Sequence, residues 1–135
     1  MDSFAFYISV LRKKFTQYCS GRLAEMNVTY GQLFIIIFVG KKGTCSPKEI
    51  SISLGLDPGH LNRTISKLEE HGLLLQKKNE QDRRAKILSL TDKGRQVFEM
   101  SHDLFYQWDE IVLEALSDAE RLELLRLLKK TASHR

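Results

Sequence analysis

The sequence predicts a mainly α-helical chain with one small β-hairpin, on three observations. Apolar residues recur at steps of three and four along most of its length. Both prolines, Pro47 and Pro58, sit one residue behind a residue suited to cap a helix, Ser46 and Asp57. One polar stretch, residues 79–84 (NEQDRR), separates two short runs with strand character.

The first helix is expected from Phe4 to Leu23, with Phe4, Tyr7, Ile8, Leu11, Phe15, Tyr18 and Cys19 on one stripe. Thr29 caps a second helix from Tyr30 to about Val39, apolar nearly all round and therefore buried, with Gly40 as its stop. Ser46-Pro47-Lys48-Glu49 is a capping box that opens a short third helix to Leu54, and Gly55 supplies the left-handed residue that ends it. Asp57-Pro58 opens a fourth helix to His71, ended by Gly72. Residues 73–78 and 85–90 form the two strands. Thr91 caps a long helix to about Leu116 with Val97, Met100, Leu104, Trp108, Ile111 and Ala115 on one stripe, and Ser117-Asp118-Ala119-Glu120 boxes a leucine-rich last helix.

At 135 residues the chain is expected to be a single domain. Its longest apolar run, Leu33–Val39, is far below the roughly 20 residues that span a bilayer, and Asp2 stands where a signal peptide would be basic. Two cysteines are too few for a disulfide framework. A cytoplasmic protein with no membrane partner is the expectation. Net charge is +4, unevenly spread: residues 41–95 carry twelve Lys/Arg against seven Asp/Glu, whereas residues 96–135 carry five against eight. A basic middle suits a polyanionic partner.

The middle also carries the most specific pattern. Ile50, Leu54, Leu56, Leu61, Ile65 and Leu68 form the small core of two helices joined by a tight turn. Outward on the second of them lie Gly59, His60, Asn62, Arg63, Ser66 and Lys67. Asn and Arg pair bidentately with adenine and guanine, and Lys, Ser and His suit phosphates or single contacts; Gly59 leaves room for a sugar-phosphate backbone. The hairpin that follows presents Arg83 and Arg84 at its tip, with Lys86 beside them. Wing arginines of this kind enter minor grooves, where the negative potential is enhanced. The architecture is therefore a winged helix-turn-helix, and the expected partner is double-stranded DNA: Asn62, Arg63 and Lys67 as principal major-groove contacts, His60 as an auxiliary one, Ser66 among the DNA-binding residues, and Arg83 and Lys86 nearer phosphate.

From Ile50 to Gly94, ISISLGLDPGHLNRTISKLEEHGLL followed by QDRRAKILSLTDKG resembles the multiple-antibiotic-resistance regulator (MarR) family, and the resemblance runs from the first helix almost to the C-terminus. Asp82-Arg83-Arg84 matches the family's acidic-any-Arg wing motif, which implies that Arg84 enters the minor groove and Asp82 braces it. The resemblance also implies a homodimer, with residues 1–28 and 96–135 as dimerisation helices and 30–95 as the DNA-binding part (46–71 helix-turn-helix, 73–90 wing). A two-fold protein calls for a pseudo-palindromic operator. Leu122, Leu124, Leu125, Leu127 and Leu128 form too broad a stripe for a one-sided contact, in keeping with this. A repressor is expected. The resemblance implies release by a small organic anion bound between the first, second and fifth helices.

Two other readings stay open: a cysteine-based redox sensor and a winged-helix protein-interaction module. The resemblance places a peroxide-sensing cysteine near Ala5, whereas this chain has Cys19, with Arg22 near it to lower its pKa, and Cys45. His60, His71, His102 and His134 are scattered with no metal-ligand spacing, and His71 suits the helix dipole at the end of the fourth helix. No phosphate-cradling glycine loop, nucleophile elbow or carboxylate pair points to an enzyme, and no cofactor is implied. Tyr7, Tyr30 and Trp108 are expected in core or dimer packing.

Overall fold

The computed structural model describes residues 1–82 and 84–134. Its elements are α1 (Phe4–Glu25), α2 (Tyr30–Lys42), β1 (Thr44–Cys45), α3 (Pro47–Leu54), α4 (Pro58–Glu70), β2 (Leu74–Lys78), β3 (Lys86–Leu90), α5 (Asp92–Val112) and α6 (Asp118–Ser133). They fall into two units, Met1–His102 and Asp103–Arg135, with the division inside α5.

In the first unit, α2 is the buried spine. Thr29 and Gln32 exchange side-chain and amide hydrogen bonds in a capping box, and Leu33, Ile35, Ile36 and Val39 are fully enclosed. Gly40 does not stop the helix. It lies inside α2 beneath the Phe98 ring, where an added Cβ would come within 2.5 Å of that ring. The stop is Gly43, at φ +82°, three residues later. Glycine here serves close approach in one place and chain reversal in the other.

Directly after Gly43 comes a strand too short for any periodicity to reveal. Thr44–Cys45 pairs antiparallel with β3, Cys45 opposite Leu88, so the expected hairpin is a three-stranded sheet in the order β1-β3-β2. On the other edge of β3, β2 pairs from Leu74 opposite Leu90 to Lys78 opposite Lys86.

The helix pair forms as its caps dictate. Ser46 Oγ accepts from the Glu49 amide at 3.2 Å, Gly55 takes the left-handed conformation (φ 65°, ψ 37°), and Asp57 Oδ2 accepts from the His60 amide at 2.9 Å. Leu61, Ile65 and Leu68 of α4 are buried with Ile50, Leu73, Leu74 and Leu88. Each such side chain contributes about 1.5–3 kcal/mol, against about 1 kcal/mol for a net hydrogen bond, so this stripe fixes the rotation of α4. Leu54 is an exception to the expected core: it lies 37% exposed at the last turn of α3, where Gly55 turns the chain away.

Only the second half of α1 is enclosed, at Cys19 and Leu23. Phe4, Phe6, Tyr7, Ile8, Val10 and Leu11 are all exposed. Tyr30 makes edge-to-face contacts with Phe15 and Phe34.

On α5 the buried positions are Gly94, Val97, Ser101 and Leu104. Met100, expected on that stripe, is 50% exposed, because the inner register passes through Ser101, whose hydroxyl donates back to the Phe98 carbonyl. In the second unit α5 ends at Val112, short of the expected Leu116. The Leu116 amide turns back to the Leu113 carbonyl, which also accepts from Arg121 Nε and so ties the end of α5 to α6. Ile111, also expected on the stripe, is exposed. The Ser117–Glu120 capping box opens α6, none of whose residues is buried; Leu122, Leu125 and Leu127 are open to solvent.

Candidate nucleic-acid interface

Burial of Leu61, Ile65 and Leu68 turns the opposite side of α4 outward, and His60, Asn62, Arg63, Ser66 and Lys67 are all exposed there. Asn62 and Ser66, one turn apart, line a groove of about 610 Å³ between the helix pair and the hairpin. Asp82, Arg84, Ala85 and Lys86 of the hairpin, Gln76 of β2, and Ser46, Pro47 and Lys48 at the start of α3 also line it. Of the residues singled out in the sequence, Asn62, Ser66, Asp82, Arg84 and Lys86 thus meet in one groove. His60, Arg63 and Lys67 lie on α4 outside it. Arg83 lies outside the described residues. Gly59 is exposed in the first turn of α4, and a Cβ built there would sit 3.2 Å from Asp57 Oδ2 and 3.5 Å from Arg63 Nη1.

The hairpin loop is built from its own polar side chains. Asn79 Oδ1 accepts from the Gln81 amide and Asp82 Oδ1 from the Arg84 amide, both at 3.0 Å, and the Ala85 amide donates to the Asp82 carbonyl. These are turns in which a short side chain stands in for a backbone acceptor. Asp82 engages Arg84 through the backbone, and the Arg84 side chain is exposed. Lys48 and Gln76 were not legible as site residues. They belong to the first helix of the pair and to a strand, and only the folding of the hairpin against α3 and α4 brings them to the groove.

A second cleft, of about 730 Å³, lies where the end of α1 and the start of α2 approach the end of α4. Thr16, Ser20 and Leu23 of α1, Asn27, Thr29 and Tyr30 around the turn, His71 and Lys93 are among its lining residues. Lys93 Nζ donates to the carbonyl of His71, the C-cap of α4, at 3.1 Å.

Both cysteines are buried. Burial raises the Cys19 thiol, with Arg22 pulling the other way. Burial, helped by Glu49, pushes Cys45 up to about 11. Among the described residues no group of three or more His, Cys, Asp or Glu is placed to hold a metal ion, and no single helix is long and apolar enough to cross a membrane.

The MarR family model matches residues 28–86. The HTH-type transcriptional regulator BilQ of Clostridium symbiosum is 37% identical over 129 residues, 96% of this chain and 90% of that protein. Among solved structures, the reduced form of MarR from E. coli superposes with a TM-score of 0.86 at 24% identity, covering 97% of each chain. A mutant of the same MarR complexed with operator DNA superposes with a TM-score of 0.81 at 24% identity, covering 94% of this chain and 91% of that one.

Proposed function

The chain belongs to the MarR family of winged-helix transcriptional regulators, and from that premise we propose that it binds a specific operator in double-stranded DNA and acts there as a repressor. The observation that carries the reading is the groove in which Asn62 and Ser66 of α4 face Arg84 and Lys86 of the hairpin. A helix face with base-reading side chains beside a cationic wing matches a major groove and the minor groove next to it. The E. coli relative was solved on its operator, which supports the same partner here.

In this reading α4 enters the major groove through Asn62, Arg63 and Lys67, with His60 and Ser66 auxiliary. Arg84 enters the minor groove, Asp82 holds its turn, and Arg83 and Lys86 lie nearer phosphate. Residues 30–95 form the DNA-binding part of one cytoplasmic domain. The protein is a homodimer on a pseudo-palindromic site: α1 leaves Phe4, Phe6, Tyr7 and Ile8 open and α6 leaves Leu122, Leu125 and Leu127 open, large apolar side chains that a second copy would cover. Release by a small organic anion is supported by the cleft that Lys93 and His71 share with α1 and α2, which offers an ammonium, hydroxyls and apolar walls together. The redox reading is disfavoured by burial, which keeps both thiols in the unreactive protonated form.

Binding to DNA taken from immediately upstream of the protein's own gene, at two salt concentrations and with excess competitor, tests the reading. Competitor-resistant binding of two chains per site is expected. Weak binding without sequence preference would overturn specific recognition at that site and favour a protein-interaction module.

A further inference from the structure

We propose that Lys48, on the first helix of the pair, contacts a DNA phosphate, so that the groove grips the backbone between α3 and the wing. This rests on the DNA-binding reading above and adds a residue from a third element to it. The groove lining holds three cationic side chains, Lys48, Arg84 and Lys86, against the single carboxylate of Asp82, which already accepts from the Arg84 amide. Lys48 is exposed and takes part in no ion pair among the described residues. Its neighbour Glu49 does not neutralise it, because that carboxylate is turned into the capping box, where Oε1 accepts from the amide and hydroxyl of Ser46. The same box and Pro47 fix the backbone from which Lys48 projects. Lys48 also borders a smaller hollow that α3 and α4 line together, with Ser51, Pro58 and Asn62.

The chemistry favours phosphate over a base edge. A lysine ammonium is a compact charge on a flexible stem, suited to a phosphate oxygen that any sequence presents. Contacts of that kind set orientation and register while base contacts set sequence. An ammonium on α3 that shares the groove with the cations of the wing thus helps to fix how α4 is seated.

Binding of Lys48→Gln, Lys48→Arg and the unsubstituted protein to the upstream fragment and to competitor DNA, followed by fluorescence anisotropy from 50 to 200 mM salt, decides the matter. Lys13→Gln, a charge loss on α1 away from the groove, serves as the control. Lys48→Gln is expected to lower the slope of log affinity against log salt by about one per chain, hence about two for a two-chain complex, so that its loss of affinity across this fourfold salt range is about tenfold smaller. It should weaken both DNAs by the same factor, and Lys48→Arg should restore the slope. An unchanged slope, or one matched by Lys13→Gln, overturns the proposal. A changed base preference with the slope intact overturns the phosphate assignment. Failure of the unsubstituted protein to bind either DNA removes the DNA-binding reading itself, and is seen before any substitution is compared.

Discussion

The hydroxyl of Thr91 donates to the carbonyl of Gly72 at 2.6 Å, fastening the first turn of α5 to the chain where it leaves α4. Around this bond the Thr91 amide donates to Leu73, the Gly94 amide donates to Thr91 Oγ1, and Lys93 reaches the His71 carbonyl. The approach is close enough that a Cβ at Gly94 would fall 2.1 Å from the Leu73 carbonyl oxygen. Gly94→Ala should therefore destabilise the fold by about 1–3 kcal/mol or more, as overpacking does, and Thr91→Val by about 1 kcal/mol for its bonds. Urea unfolding of both variants measures this. An unchanged midpoint for Gly94→Ala would mean that α5 shifts without cost.

Gly40 and Phe98 form a second close pair. Here the obstacle is a side chain, so the damage should be reparable. Gly40→Ala is expected to cost about 1–3 kcal/mol, and Phe98→Leu in the same chain to recover part of it. The double-mutant cycle in urea reads the coupling, and strict additivity would contradict the contact.

The wing separates geometry from charge. Asp82→Asn keeps an oxygen to accept from the Arg84 amide, whereas Asp82→Ala removes it. DNA affinity should fall more for the alanine variant. Arg84→Ala should weaken binding and lower the salt slope by about one per chain, about two for the two-chain complex, while leaving the unfolding free energy within about 0.5 kcal/mol, as an exposed loop substitution does. Equal affinities for the two Asp82 variants would remove the turn from the mechanism.

Cys45 gives a pH dependence. Its thiol titrates at about 11 in the fold, against an ordinary value of 9.0, because burial and Glu49 oppose the thiolate. Between those values the unfolded chain has lost a proton that the folded chain keeps. Stability from this group is therefore complete below pH 9 and falls as pH rises towards 11. Cys45→Ala should flatten that part of the stability curve, and iodoacetamide should modify the native protein slowly at pH 7. Rapid modification of Cys45 in the folded state would contradict its burial.

Local chemistry was the legible part of this chain. The Ser46–Glu49 and Ser117–Glu120 boxes, and Gly55 behind α3, are signals that act within a few residues, and the structure follows them. Gly40 misled because an apolar run followed by glycine reads as a stop, whether that glycine reverses the chain or admits an aromatic ring. Leu54 and Met100 misled in the same way, since periodicity places a stripe without saying where a neighbouring element ceases to cover it. Asn62, Ser66, Arg84 and Lys86 could be named because α4 and the hairpin announce themselves. Lys48 and Gln76 could not, because their place depends on how three elements converge.

The two-residue strand β1 has a mechanical consequence. Because Thr44 and Cys45 hold one edge of β3 while β2 holds the other, the returning arm of the wing is bonded on both flanks at Leu88 and Ser89. Swinging that arm would tear two seams at once, one of them stitched to the linker between α2 and α3. The wing is thus a cantilever clamped at its root, with its compliance confined to the overhang beyond Gln76 and Leu88. Amide exchange should be slowest at Leu88 and Ser89 and quicken towards Lys86. Arg84 would then search a groove from the tip of a stiff beam whose root moves with the reading head.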